Sequence, residues 1–361
     1  MKNIARKHIF SVKSYVPGKP IEELKREMGL EEAIKLASNE NAFGPSPKAI
    51  RAAKESLKTI NRYPDGGCFY LKKALAGELR VKTGNIVLGN GSDEIIILAI
   101  RAFVEKGDEV IIAKPTFLVY EIASKVQGAK IKFAPLKDFR YDVRKIVKLV
   151  SKKTKLVFIA NPDNPTGTYI TKKEVDYLVS RLPRKTVIFF DEAYFEFAED
   201  IWDYPVTMKF LKSRHVIIAR TFSKVYSLAG LRVGYAITSE RIADLLNRVR
   251  EPFNVNSVAQ SAALAALGDK KYAKKTLELI KKSKSFICRE LELLDIEYIP
   301  SVTNFILFKV GKNSKNIYRK LLEKGVIVRE MSAWKLENYM RVTAGTMSES
   351  KKFIRTLKEV L

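Results

Sequence analysis

Six short apolar runs recur between helical stretches through the middle of the chain, at positions 86–88, 109–113, 156–160, 186–190, 215–219 and 232–237. Each ends in polar or Gly/Pro-rich sequence. Several, such as Val187-Ile188-Phe189-Phe190, lack the polar alternation of a strand with one wet face. Strands buried on both faces need a covering layer on each side, and the helical stretches between them supply those layers. The rhythm therefore predicts an α/β fold, a mainly parallel central sheet sandwiched by helices. Ligands of such sheets sit beyond the carboxyl ends of the strands, so the residues just after each run are the candidates for chemistry.

The chain has 361 residues, too many for one small core. A large domain is expected over 41–250. After Glu251-Pro252-Phe253-Asn254 the texture changes to a Lys/Leu-rich helix near 270–294 and strands near 304–309, 326–329 and 339–343, a smaller α+β domain over 251–361. Residues 1–40, with Pro17, Gly18 and Pro20, read as an arm that packs across or closes the site. The net charge of +26 fits binding to nucleic acid or membrane, or steering of anionic small molecules. The basic residues are scattered over helices, with no arginine-rich tail and no helix-turn-helix segment, so a solvated basic surface is preferred. No apolar run reaches the roughly 18 residues of a membrane span, and the start lacks an apolar signal core. With only Cys68 and Cys288 there is no disulfide framework and no metal site, and a cytoplasmic location is expected.

Lys224 follows the run at 215–219. Burial beside cationic and apolar groups would lower its pKa and make its amine nucleophilic enough to trap a carbonyl, although a lysine after a strand is ordinarily a surface residue. Asp191 ends the run at 186–190, so its carboxylate emerges from an apolar layer and needs a cation; the other reading is a helix cap. Tyr194 lies three residues on. Asn164 sits in Asn161-Pro162-Asp163-Asn164-Pro165-Thr166-Gly167, where two prolines stiffen the turn that aims its amide. In Gly89-Asn90-Gly91-Ser92-Asp93-Glu94 a strand passes into a helix, and backbone N–H groups at Gly91, Ser92 and Asp93 suit a phosphate. Thr221, Ser223 and Arg232 offer further donors, while Asp93 is equally readable as a helix cap. Phe117 either stacks on a flat ring or packs in the core. Arg341, inside a strand, needs a carboxylate if it faces inward and nothing if it lies on an edge. Arg329 adds a second cation.

Together these segments resemble the fold-type I pyridoxal-phosphate aminotransferases, and more closely the histidinol-phosphate aminotransferase branch. The resemblance also rests on Ser38-Asn39-Glu40-Asn41, Arg62-Tyr63-Pro64-Asp65, Gly230-Leu231-Arg232-Val233-Gly234-Tyr235 and Gly325-Val326-Ile327-Val328-Arg329, and it runs over nearly the whole chain. It implies pyridoxal 5'-phosphate as cofactor, bound by Lys224 as a Schiff base, with Lys224 then moving the substrate proton. Asp191 would pair with the pyridine nitrogen, Asn164 and Tyr194 would hold the phenolate oxygen, and Phe117 would stack on the ring. The phosphate would be gripped by Gly91, Ser92, Asp93, Thr221, Ser223 and Arg232, with Tyr63 reaching in from the partner of a homodimer. Arg341 would bind the carboxylate of glutamate or 2-oxoglutarate. Arg329, Tyr15 and Asn41 would favour L-histidinol phosphate, placing the enzyme in histidine biosynthesis.

Two features depart from the family pattern. Phe117 stands where relatives often carry Tyr, and Glu330-Met331-Ser332-Ala333-Trp334 replaces a more Gly-rich loop. Threonine-phosphate decarboxylation and transamination of aromatic amino acids fit the same cofactor residues. A nucleic-acid-binding regulator using this fold is the rival from another class.

Overall fold

The computed structural model describes residues 4–361; Met1, Lys2 and Asn3 of the expected arm lie outside them. All six apolar runs become strands of one eight-stranded sheet. Its order is Ile86–Gly89, Gly234–Thr238, Val216–Thr221, Val187–Asp191, Thr154–Ala160, Glu109–Lys114, Lys130–Lys137 and Arg140–Tyr141. Val187–Asp191 is buried along its whole length, as the unbroken apolar run requires. The strands from Val216–Thr221 to Lys130–Lys137 pair in parallel.

The sheet is mainly parallel, as expected, with two exceptions, of which Arg140–Tyr141, antiparallel to Lys130–Lys137 at the edge, is the first. Gly234–Thr238 runs antiparallel to both neighbours, Ile86–Gly89 and Val216–Thr221. The segment joining it to Val216–Thr221 contains only the short turn Ala229–Leu231 and no crossover helix, so the chain reverses direction and comes back antiparallel. Lys130–Lys137 was not foreseen. It carries the sequence Lys-Ile-Lys-Phe-Ala-Pro-Leu-Lys near the sheet edge and buries only Ala134, so its apolar signal is weak.

The smaller body is a four-stranded antiparallel sheet in the order Tyr298–Ile299, Phe305–Lys309, Tyr339–Thr343, Arg329–Glu330. Helices Lys270–Leu293, Ser314–Glu323 and Met347–Val360 accompany it. Ile306, Phe308, Val342, Ile287 and Phe353 form its core. The arm docks here: Ile34–Lys35 pairs in parallel with Val326–Ile327, and Leu24 from helix Ile21–Met28 packs against Leu322 and Ile327. Helix Ser257–Leu267, beyond the expected boundary at residue 250, contributes Ala259, Ala262, Ala263 and Leu267 to the core of the larger body. No helix among the described residues is long and apolar enough to cross a membrane.

Candidate active site

The carboxyl ends of Glu109–Lys114, Thr154–Ala160, Val187–Asp191 and Val216–Thr221 open onto a cavity of about 360 Å³. Its wall includes thirteen of the expected residues: Tyr15, Ser92, Asp93, Phe117, Asn164, Asp191, Tyr194, Thr221, Ser223, Lys224, Arg232, Arg329 and Arg341. Because Ala160 and Asp191 are register partners, as are Asp191 and Ala219, consecutive strand ends deliver their following loops side by side.

Asp191 is the last residue of its strand and is 5% exposed. Its Oδ2 accepts from the Tyr120 hydroxyl at 2.6 Å and its Oδ1 from the Ala193 amide at 3.0 Å. The latter is a local turn bond two residues on, not the helix cap that was the alternative. Burial pushes its carboxyl up to about 6, against the hydrogen bonds from Tyr120 and Ala193. Next to it, Glu192 is already paired with Arg220 at 2.8 Å, and the guanidinium of Arg220 lies over the Phe195 ring. Asp191 has no such cation within salt-bridge distance among the described residues, so the cavity wall holds a buried carboxylate with an unmet charge.

Lys224 stands beyond Val216–Thr221, with its Nζ 5.4 Å from the Tyr194 ring. Burial lowers its ammonium to about 8, and Arg341 adds repulsion. Tyr194 is buried, and its hydroxyl oxygen accepts from Asn39 Nδ2 at 2.7 Å. Burial raises that phenol to about 12, so it enters chemistry protonated.

The helix Ser92–Phe103 begins at the cavity, and the amides of its first turn have no partner within the helix. Gly91 has φ +80°, and a Cβ there would stand 2.6 Å from Nη2 of Arg232. A Cβ on Gly234 would stand 2.6 Å from the backbone nitrogen of Ser92, so two backbones nearly touch at the strand end. Gly91 thus lies behind the cavity wall. Asp93 is not the helix cap; Gly91 occupies that place, and Asp93 pairs with Arg232 at 3.1 Å. The Thr221 hydroxyl donates to Ser223 Oγ at 2.9 Å and accepts from the Ser223 amide at 3.1 Å. Three hydroxyls, one guanidinium and a helix N-terminus therefore converge, a donor set for a phosphate.

The Asn164 turn is held from below by Asp163, which is fully buried. Asp163 accepts from the hydroxyls of Thr116 at 2.6 Å and Thr166 at 2.8 Å. Asn164 Oδ1 accepts from Arg341 Nη1, and the other terminal nitrogen of Arg341 donates to the Ala37 carbonyl at 2.8 Å. Arg341 faces inward: it is 5% exposed, its Nε lacks a partner among the described residues, and burial lowers its pKa to about 10. The edge-exposed alternative does not hold. Arg329 donates to the Val16 carbonyl at 2.6 Å, tying the arm to the cavity.

Besides Gly91, two expected residues are not in this wall. Asn41 is spent on the backbone: its Nδ2 donates to the Val225 carbonyl at 2.9 Å and its Oδ1 accepts from the Phe43 amide. This bond fixes the segment that carries Lys224. Tyr63 is 83% exposed and stacks on Phe253 at 4.8 Å between ring centroids. Sequence reasoning also missed Tyr120, Asn39 and Trp334. Tyr120 stands three residues after Phe117, in the first turn of the helix that follows it, and the two rings meet edge to face at 5.6 Å. Asn39 lay within a quoted motif with no role attached.

This architecture and this site are those of an enzyme that works on amino groups through a carbonyl-bearing cofactor. The profile of the family "Aminotransferase class I and II" matches residues 31–357, and the chain belongs to this family. It is a pyridoxal-phosphate-dependent aminotransferase. Among its relatives is the histidinol-phosphate aminotransferase of Moorella thermoacetica, 44% identical over 358 residues, with 99% of this chain and 92% of the relative covered. That of Caldicellulosiruptor saccharolyticus is 45% identical, with 99% of each covered. The histidinol-phosphate aminotransferase of Sinorhizobium meliloti, solved in complex with pyridoxal-5'-phosphate, superposes with a TM-score of 0.90 at 29% identity, covering 98% of this chain and 96% of that one.

Proposed function

We propose that the enzyme transfers the amino group of L-histidinol phosphate to 2-oxoglutarate. The observation that carries this reading is a pair of guanidiniums in one cavity: Arg341, buried with an unpartnered Nε, and Arg329 at the arm. Arg341 would take the carboxylate of glutamate or 2-oxoglutarate. Arg329, beside Tyr15, would take the phosphate of the amino substrate. The names of full-length relatives at 44 to 45% identity support the same substrate.

The residues fit the cofactor. The unmet charge of Asp191 suits a protonated pyridine nitrogen, and the donors of Ser92, Thr221, Ser223 and Arg232 suit a phosphate. Asn164 and Tyr194 would hold the phenolate oxygen, and Phe117 would cover a ring face. When bound, the cofactor supplies an electron sink for the pair left on the amino-bearing carbon of the substrate. Lys224, whose amine loses its proton near pH 8, would take the proton from that carbon and return it to complete the transfer. Tyr194 keeps its proton and so acts as a hydrogen-bond donor. The arm, joined through Val16 to Arg329, would limit water at the site.

A homodimer is the assembly that would use Tyr63, and the exposed aromatic group of Tyr63, Phe69, Tyr70 and Phe253 supports it. A cytoplasmic location agrees with two unpaired cysteines.

The test is the absorbance spectrum of the holoenzyme on adding L-histidinol phosphate without a keto acid. Conversion of the lysine-bound cofactor to its amine form, reversed by 2-oxoglutarate, is expected. Conversion by L-phenylalanine alone would move the substrate to aromatic amino acids. Release of carbon dioxide from threonine phosphate would make the enzyme a decarboxylase.

A further inference from the structure

Trp334 has had no part in the reaction so far. It closes the turn Ser332–Trp334 of the smaller body, in the loop that departs from the family pattern, and it is buried in the cavity wall. Its indole N–H donates to the carbonyl oxygen of Thr116 at 2.9 Å, across to the larger body and one residue before Phe117. Thr116 is itself fixed, since its hydroxyl donates to Asp163 beneath the Asn164 turn. The anchored ring lies 5.1 Å from the guanidinium carbon of Arg329 and 5.9 Å from that of Arg341. Indole is the best aromatic partner for a cation, and here one ring serves two cations that would otherwise repel.

The two guanidiniums depend on it unequally. Arg341 has the Asn164 amide oxygen, the Ala37 carbonyl and the Phe305 ring, 5.1 Å away. Among the described residues, Arg329 has only the Val16 carbonyl besides the indole. Loss of the ring would therefore free Arg329 far more than Arg341.

We infer that Trp334 is a positioning residue that sets specificity: anchored to Thr116, it holds Arg329 at a set spacing from Arg341, so that the cavity accepts amino compounds bearing a distal phosphate. This rests on the assignment of Arg329 to the phosphate. Trp334 acts through Arg329 and takes no proton or electron pair.

The experiment compares wild-type holoenzyme with W334F and W334Y, which keep an aromatic ring but lose the indole N–H. Cofactor absorbance first shows that each variant is loaded. For L-histidinol phosphate, KM is expected to rise about tenfold in W334F with kcat within about twofold, while KM for glutamate stays within about twofold. An equal rise for both substrates, or no rise for either, overturns the assignment. So does failure of both variants to load cofactor, which would make Trp334 a packing residue. Inorganic phosphate as competitor of the glutamate half-reaction reads the subsite without turnover of the phosphorylated amine. Weaker competition in W334F than in wild type supports the inference, and equal competition overturns it. If wild type fails to convert L-histidinol phosphate while phosphate competition still depends on Trp334, the proposed substrate falls and the subsite stands.

Discussion

Asp191 illustrates how a functional residue costs stability until its partner arrives. Its folded carboxyl titrates near 6, above the ordinary value of 3.8, because burial disfavours the charge. A raised acid holds its proton more tightly in the folded than in the unfolded state. The penalty is thus absent below about pH 4, grows as pH rises and is complete above about pH 6. Asp191→Asn should therefore raise the melting temperature of the cofactor-free protein by a few degrees at pH 8, and by less at pH 4, while abolishing measurable transamination. A scan at both pH values checks the sign. Tyr120 acts on the same group, since its donated hydrogen bond favours the ionised carboxylate. Tyr120→Phe should move the acid limb of cofactor binding to higher pH, and titration of cofactor affinity between pH 5 and 8 measures the shift. Lys224 and Asp191 were legible from the chain alone because each follows an unmistakable buried strand. Tyr120 and Asn39 were not, because their partners lie 71 and 155 positions away.

At the level of elements, the site depends on close approach of backbones as much as on side chains. The end of Gly234–Thr238 lies against the start of Ser92–Phe103, with space for no Cβ at Gly234. Gly234→Ala would have to push backbone against backbone, which costs on the order of 1–3 kcal/mol. Urea unfolding should show that loss, and cofactor affinity should fall with it because the Ser92 amide moves. The mutation would leave Lys224 chemistry intact in whatever fraction binds cofactor. The direction of Gly234–Thr238 was not legible because periodicity reports burial, not polarity of the chain; only the missing crossover helix distinguishes the two.

At the scale of the whole molecule, the chain's two bodies meet at the chemistry. Arg341 comes from the smaller body and Asn164 from the larger, and their hydrogen bond bridges them. Arg341→Ala should raise KM for 2-oxoglutarate by roughly two orders of magnitude, the few kcal/mol expected for a buried charged contact left single. Steady-state kinetics with the keto acid varied would read it. Tyr63 belongs to a larger scale still: if it completes a partner's site, Tyr63→Ala should lower cofactor affinity about tenfold and shift sedimentation toward the monomer.

The amino-acid sequence by itself determined which segments are buried strands, where each ends, and therefore which residues face the ligand crevice. Those are local properties: apolar runs, rigid Asn-Pro turns and glycine at a strand-to-helix junction act within a few residues of where they are written. Only the tertiary structure decided that Asn41 is spent on the Val225 carbonyl, that Asp93 pairs with Arg232, and that the Trp334 ring lies 5.1 and 5.9 Å from two guanidiniums. A polar side chain has several possible partners of similar strength, and which one it meets depends on how distant segments pack, 184 positions apart for Asn41 and Val225 and 139 for Asp93 and Arg232.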